Sequence, residues 1–341
     1  MTADHRPYQE HPGLTMPAPA DQPRATADMI ASGRPVRPIP WASIRPWAGR
    51  RLGPPEDHVG ELWLAGPASI VADARGEEAT LDAIAAEAGA ALVGDAGMRL
   101  LGPRFPLIVK LIDAAEWLSL QVHPANALAA ELYGAEALGK CEAWLVLDAD
   151  PGCRLVTGPG AGLGEPELRA AIGVGTLGRD DCEARPAVPG DTLLIEPGTL
   201  HAIGEGAFVY EIEQPSDLTF RISDWGRPAV PGRGLHPVES LRAIRPDAHA
   251  IPAGRDWRLD GGALDVPEFR LEIAVLPGPV VRSPSGRSLE VVTTIEGEAQ
   301  LTGDGWSERL ARWETLVVPA SAADYRIDGA AGTRVCIGSV P

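Results

Sequence analysis

Lysine is almost missing from this chain. Of its 30 basic residues only Lys110 and Lys140 are lysine; the others are arginine. A solvated surface accepts either cation, so the bias alone reflects coding preference. The two lysines are then either chance survivors or places where a guanidinium fails, since lysine can lose its proton when its pKa is lowered and arginine in practice cannot. Cysteine is sparse too: Cys141, Cys153, Cys182 and Cys336 form no CxxC pair and are too few for a disulfide framework. A reducing, cytoplasmic setting is the simplest expectation. There is no long apolar run. The stretch from Pro106 to Val122 is broken by Lys110, Asp113 and Glu116, so no membrane span is expected. The N-terminus has no apolar segment of signal-peptide type. Positive charge is in deficit, with 30 Lys and Arg against 47 Asp and Glu, a net −17 at pH 7. That excludes a generic nucleic-acid binder, and any anionic partner must be met by a local basic pocket.

Glycine and proline are plentiful, 39 and 33 residues, which favours many turns and short strands. Residues 1–35 are rich in Pro, Ala, Asp and Gly without period and read as a disordered extension. Thr80 is placed to cap a helix carrying Leu81, Ile84, Ala85 and Ala88 on one face. Asn126 is expected to cap another, ended by Gly134, and further short helices are expected from Glu165 and from Pro237. Strands are expected over 105–112, 117–123, 142–147, 191–196, 208–214 and 218–223. Beyond Asp256 the pattern is β throughout. The phrase Pro189-Gly190-Asp191 to Pro197-Gly198 has an echo at Trp313-Glu314-Thr315 to Pro319, which suggests two β units of one type.

Residues i and i+2 on a strand share a face. Ser119, Gln121 and His123 therefore point together, as do Lys140 and Glu142, Glu211 and Glu213, and Thr219, Arg221 and Ser223. If these strands are brought round one sheet, Gln121, His123, Glu142 and His201 can meet. Two imidazoles, a carboxylate and an amide oxygen form a mixed N/O set suited to Zn²⁺ or another borderline divalent ion, with a position left open. Taken singly none of these residues marks a site. A histidine before proline is more often structural, and a glutamate at a strand start is usually solvated. The paired QxH and KxE spacings give the set its weight. His236 and His249 lie in Pro-flanked text and are read as solvated, and Cys141 as buried and inert.

These residues fall in longer phrases: Phe105-Pro106-Leu107-Ile108-Val109-Lys110-Leu111, Leu118 to Pro124, Gly139-Lys140-Cys141-Glu142-Ala143-Trp144, Gly190-Asp191 through Leu200-His201-Ala202, Ser216 to Arg221, Asp224-Trp225-Gly226-Arg227, and upstream Gly60-Glu61-Leu62-Trp63. In this order, over about residues 41–227, they resemble type I mannose-6-phosphate isomerase in its compact bacterial form. The resemblance implies a mainly β fold of two cupin-type jelly-roll barrels in tandem with a few short helices. With the composition of 1–35, which has no counterpart in the family, and the lack of histidine beyond 256, the expected division is an extension 1–35, a metal-binding catalytic domain 36–255 and a metal-free cupin-like domain 256–341. It implies one Zn²⁺ per chain on Gln121, His123, Glu142 and His201. The activity implied is interconversion of mannose 6-phosphate and fructose 6-phosphate through an enediol. Arg221, Lys140, Lys110 and Asp217 are the catalytic residues that the resemblance implies; Glu211 joins Asp217 as a carboxylate able to carry the proton, and Arg221, Arg227 and Ser119 are the candidates for binding the phosphorylated hexose. Gly139 stands where some relatives have histidine, so a relay through that histidine is unavailable. Neither nucleic acid nor membrane is expected as a partner, and monomer and homodimer stay open. The competing readings are an isomerase of an unphosphorylated sugar, a non-catalytic sugar-binding cupin and an iron-dependent cupin dioxygenase.

Overall fold

Five antiparallel strands in the spatial order first, second, fifth, third, fourth occur twice along the chain. The computed structural model describes residues 24–73, 75–228, 233–253 and 262–341. In the first unit the five are Val59–Ala65, Ile108–Asp113, Ala207–Glu213, Glu142–Ala149 and Thr192–Ile195. Trp41–Ile44 and Ile251–Ala253 extend the sheet at its two edges. Against it lie the three-stranded sheet Ala202–Ile203, Arg154–Pro159, Cys182–Pro186 and the pair Phe220–Ser223, Leu120–Val122. In the second unit the five are Ala263–Asp265, Arg270–Val275, Arg334–Ser339, Glu290–Glu296 and Thr315–Val318. Their partner sheet runs Val280–Arg282, Tyr325–Gly329, Ala299–Gly303, Trp306–Leu310. The expected tandem jelly rolls are thus present, as two open sandwiches rather than closed barrels. The echoed phrases occupy the same place in both, at the fourth strand.

The two large sheets pack face to face. One apolar cluster takes Val109, Leu111, Ala143, Leu145, Phe208, Tyr210 and Ile212 from the first unit and Leu271, Ile273, Val291, Val317 and Cys336 from the second. The period of two then decides what lies on the opposite face of the first sheet: Lys110 and Ile112, Glu142 and Trp144, Val209, Glu211 and Glu213. Every residue of Ala207–Glu213 is buried, because both faces of that strand are covered.

Three expectations change. Residues 1–23 of the expected extension lie outside the described residues, but Arg24–Ala31 is a helix with Ile30 fully buried, and Val36 bridges Val317. The Pro/Ala-rich composition hid one apolar anchor. A helix at Ala90–Leu101, with a kink at Gly94 (φ 76°), was not expected. Its Asp95 and Ala96 N–H groups donate to Gly286 and Arg287 carbonyls, and its Leu92 and Ala91 carbonyls accept from Ala320 and Ser321. The segment before residue 102 therefore clasps the second unit, across the boundary expected near 255–256, which itself lies outside the described residues. Asn126 does not cap its helix. Ala125 holds that position, and Asn126 Oδ1 accepts instead from Gly139 N (2.8 Å) and Gln214 Nε2 (3.3 Å), tying down the loop before Lys140.

The contact between the units is close at Gly338, where an added Cβ would meet Ile212 Cδ1 at 2.8 Å and Leu107 Cδ1 at 3.5 Å. Gly338→Val is expected to cost about 1–3 kcal/mol by overpacking, with Gly338→Ala milder because the end of Ile212 can shift. Thermal or urea unfolding checks this; two variants as stable as the parent would mean that the sheets do not approach so closely.

Candidate active site

Gln121 and His201 are joined as a single bridge between strands, each N–H donating to the other's carbonyl at 3.1 Å. The turn before His201 is held by Gly198 (φ 87°), whose N–H donates to His123 O at 2.9 Å. Glu142, the first residue of its strand, closes the group from the large sheet. His123 Nδ1 lies 2.8 Å from Leu218 O, and His201 Nδ1 lies 2.8 Å from Thr199 O. A carbonyl only accepts, so each ring proton sits on Nδ1 and each Nε2 is left as a lone pair. Those Nε2 atoms are 3.1 Å apart, and they lie 3.3 Å (His123) and 3.5 Å (His201) from the Glu142 carboxylate. Neither Glu142 oxygen accepts a well-directed hydrogen bond, but Oε2 is ion-paired with Lys140 Nζ. Burial opposes the Glu142 charge, but Lys140 at 3.1 Å holds its carboxyl well below the ordinary range. Burial and the neighbouring His123 lower His201 to about 4. Two imidazole nitrogens and a carboxylate oxygen thus face one point, and all three side chains are buried. The Gln121 amide stands at the edge, Nε2 3.2 Å from His201 Nε2, while its Oε1 accepts from Ser119 at 3.1 Å.

Beside this point lies a buried ionic cluster. Lys110 Nζ is 2.8 Å from Glu211 and 3.2 Å from Glu213; Lys140 Nζ is 2.6 Å from Glu213 and 3.8 Å from Glu211. Trp144 Nε1 donates to Glu211 at 2.8 Å, and Lys110 lies 4.7 Å from the centre of the Trp63 ring. Burial works against both ammonium groups, yet the surrounding carboxylates raise their pKa above the usual lysine range. The two lysines are therefore not poised to lose protons, the property that first set them apart in the sequence; they are fixed positive charges.

The cleft above the cluster is lined by Ser119, Gln121, Lys110, Lys140, Glu211, Asp217, Thr219 and Arg221, over a floor that includes Trp47, Ile112, Trp144 and Ile203. Arg221 Nε donates to Ser119 Oγ at 3.2 Å and its Nη1 to Gly234 O at 3.0 Å. Every expected site residue except Arg227 thus stands at the cleft or at the His–Glu group below it. Arg227 is turned away, with Nη2 on Asp224 at 2.7 Å and Nη1 on Trp117 O at 2.8 Å, and it does not line the cleft. Arg233, which shares Asp224 with it at 2.8 Å, does. His236 is not free in solvent either: its Nδ1 accepts from Arg221 N at 3.0 Å and its N–H donates to Arg221 O at 2.8 Å. Sequence reasoning also missed the site positions of Arg45, Glu61 and Glu213. Glu213 had a signal, since it shares a face with Glu211. Glu61 had one in the quoted Gly-Glu-x-Trp phrase. Arg45 and Arg233 sit in irregular text where no periodicity points to a face.

Glu61 accepts from Arg45 Nε and Nη2 at 3.0 and 2.9 Å and from Trp63 Nε1 at 3.0 Å. Burial raises its pKa, but the charges of Arg45 and Lys110 outweigh that and lower it from 4.5 to about 2. A carboxylate depressed in the fold contributes stability above its unfolded pKa and loses it as pH falls through the folded one. Glu61→Gln is thus expected to cost on the order of 3 kcal/mol at pH 7. The gap to the parent should narrow from pH 4.5 towards 2. Urea midpoints of both proteins across that range test it; a gap that stays constant with pH would show that the charge of Glu61 is not what matters.

Residues 52–138 match the family model for the phosphomannose isomerase type I catalytic domain, a span that holds Lys110, Gln121 and His123. The mannose-6-phosphate isomerase of Streptococcus mutans is 33% identical over 303 residues, covering 83% of this chain and 92% of that protein. The mannose-6-phosphate isomerase ManA of Bacillus subtilis is 29% identical over 239 residues, covering 68% of this chain and 74% of that one. A crystal structure of the Bacillus subtilis mannose 6-phosphate isomerase superposes with TM-score 0.73 at 24% identity, over 89% of this chain and 99% of that one. A zinc-bound mannose 6-phosphate isomerase does so with TM-score 0.70 at 15% identity, over 90% of this chain and 100% of that one. At those identities the two structures speak for the fold, and the Streptococcus mutans relative, matched over nearly its whole length, places this chain in the type I mannose-6-phosphate isomerase family.

Proposed function

We propose that the chain interconverts mannose 6-phosphate and fructose 6-phosphate, with one Zn²⁺ held by His123, Glu142 and His201 and completed by Gln121. The observation that carries the reading is the convergence of two imidazole lone pairs on one buried carboxylate, Glu142, whose protein counter-charge is Lys140 on one side. A cation between the three side chains would satisfy both nitrogens and the carboxylate together, and this donor set suits zinc. Gln121 would join through its amide oxygen, which requires the two ends of the amide to exchange places. When bound, the ion supplies Lewis-acid stabilisation of negative charge on a substrate oxygen.

The reaction moves one proton between C1 and C2 of the open-chain sugar through an enediol. Glu211 and Asp217 are the carboxylates at the cleft able to carry that proton. Lys110 and Lys140, held charged by Glu211 and Glu213, set a fixed positive potential where the enediol oxygens develop charge. Arg221 is the clamp for the 6-phosphate, with the Ser119 hydroxyl beside it, and Arg233 takes the second cationic place first given to Arg227. Cationic side chains gathered in the cleft of a chain of charge −17 favour a phosphorylated hexose over a neutral sugar. The catalytic domain is the first unit, about 36–255 together with its clasp on the second, and the metal-free unit 256–341 supports it. No helix among the described residues is long and apolar enough to cross a membrane, and the four cysteines are unpaired, which suits a cytoplasmic setting.

Metal-stripped protein is expected to be inactive in a coupled isomerase assay and to recover with stoichiometric Zn²⁺; zinc-loaded protein that does not convert mannose 6-phosphate would end this reading. Arg221→Ala and Arg233→Ala are each expected to raise KM for mannose 6-phosphate about 10- to 100-fold, the worth of a charged hydrogen bond. Arg227→Ala should stay within a few-fold of the parent. Equal rates on mannose with and without its phosphate would favour the unphosphorylated-sugar reading instead.

A further inference from the structure

The second unit repeats the first closely enough for its residues to be matched by register. Glu142 opens the third strand of its five, faces Glu213 at the end of the fifth and faces Ile195 at the end of the fourth. Glu290 likewise opens the third strand, faces Ser339 at the end of the fifth and faces Val318 at the end of the fourth. The strand pair that brings Gln121 has Val122 opposite Phe220; its counterpart has Arg282 opposite Tyr325. Glu290 therefore holds the place of Glu142; in the overlying pair the register matches Arg282 with Val122, not with Gln121 or His123, and it is contact rather than register that brings Arg282 to Glu290.

The surroundings of the two carboxylates differ in one respect. Glu142 meets Lys140 Nζ at 3.1 Å on one oxygen and is otherwise faced by two imidazole Nε2 atoms at 3.3 and 3.5 Å, with no directed hydrogen bond to either oxygen. Glu290 is fully engaged: Arg282 donates to Oε1 from Nη2 at 2.5 Å and from Nε at 3.2 Å, and Tyr325 OH donates to Oε2 at 2.5 Å. Arg282 Nη1 also donates to Glu272 at 2.8 Å. The chain has no histidine after His249, so nothing in this unit supplies an imidazole.

We infer that the fold offers a cation place in both units, and that in the second it is filled permanently by the Arg282 guanidinium. The inference goes beyond the isomerase reading and borrows from it only the comparison with the first unit. Two consequences follow. The intact chain takes one metal ion rather than two. Removing Arg282 uncovers a second site made of Glu290, Glu272 and the Tyr325 hydroxyl, oxygen donors that suit a hard divalent ion such as Mn²⁺.

The test is equilibrium dialysis of the full chain against Mn²⁺, with metal counted per protein. The parent is expected to hold one ion, Arg282→Ala two, and the double variant Arg282→Ala with Glu290→Gln one again. Mn²⁺ should also raise the melting temperature of Arg282→Ala more than that of the parent. An Arg282→Ala protein that folds and takes no additional ion overturns the inference. If Arg282→Ala does not fold, the double variant Arg282→Met with Glu290→Gln is compared with Arg282→Met. A guanidinium that serves as the counter-charge predicts that at least half of the lost melting temperature returns. A guanidinium that only fills space predicts none, and that result would also overturn the inference. Isomerase activity enters none of these readouts, so a failure here leaves the proposed function standing.

Discussion

The packing of one large sheet on the other is the constraint from which the site follows. A strand buried on both faces cannot choose freely what it puts on each. Along Ala207–Glu213, Phe208, Tyr210 and Ile212 are committed to the apolar contact with the second unit, so Val209, Glu211 and Glu213 must face the cleft. The neighbouring strands obey the same alternation, with Val109 and Leu111 against Lys110, and Ala143 and Leu145 against Glu142 and Trp144. The second unit, which carries no histidine, therefore acts on the chemistry by covering the outer face of the sheet that holds it. Without that cover these seven apolar side chains of three strands would be exposed, and the register that collects the charges would have no reason to be unique.

Charges collected in this way are costly to bury and stay only when paired. The cleft meets that condition nearly everywhere: Glu61 with Arg45, Glu211 with Lys110 and Trp144, Glu213 with Lys140. Glu142 is paired as well, with Lys140, and beside it the carbonyls of Leu218 and Thr199 fix both imidazole tautomers so that lone pairs point inward. Those carbonyls do more than orient the rings. They remove the option of an internal hydrogen bond between the imidazoles, leaving a cation as the species that satisfies all three side chains at once.

Much of this was legible in the sequence because it depends on period. The QxH and KxE spacings, the shared face of Glu211 and Glu213 and the echo of the fourth strand are all consequences of alternation, and each is found in the structure. What was not legible depends on irregular backbone. Arg227 follows Asp224-Trp225-Gly226, where Trp225 has φ 57°, and that turn sends its guanidinium to Trp117 O instead of the cleft. Arg233 and His236 arrive from a Pro/Gly-rich loop with no face to predict. Asn126 was assigned to its own helix because capping is local, whereas its partners, Gly139 and Gln214, are distant in sequence. The helix Arg24–Ala31 was lost in a composition average that one buried isoleucine does not move.

The survival of two lysines in an arginine chain now has a geometric account rather than an acid–base one. Lys140 has carboxylate oxygens of Glu142, Glu211 and Glu213 within 3.8 Å, and Lys110 has those of Glu211 and Glu213 within 3.2 Å while lying over Trp63. An ammonium is a compact point charge whose three donors can turn to partners in different directions, whereas a guanidinium presents its donors in one fixed plane. The second unit makes the contrast within the same fold. Where the carboxylates to be met are Glu290 and Glu272, the cation is Arg282. Where Glu142, Glu211 and Glu213 converge beside a pair of imidazoles the cation is Lys140, with Lys110 sharing two of the three.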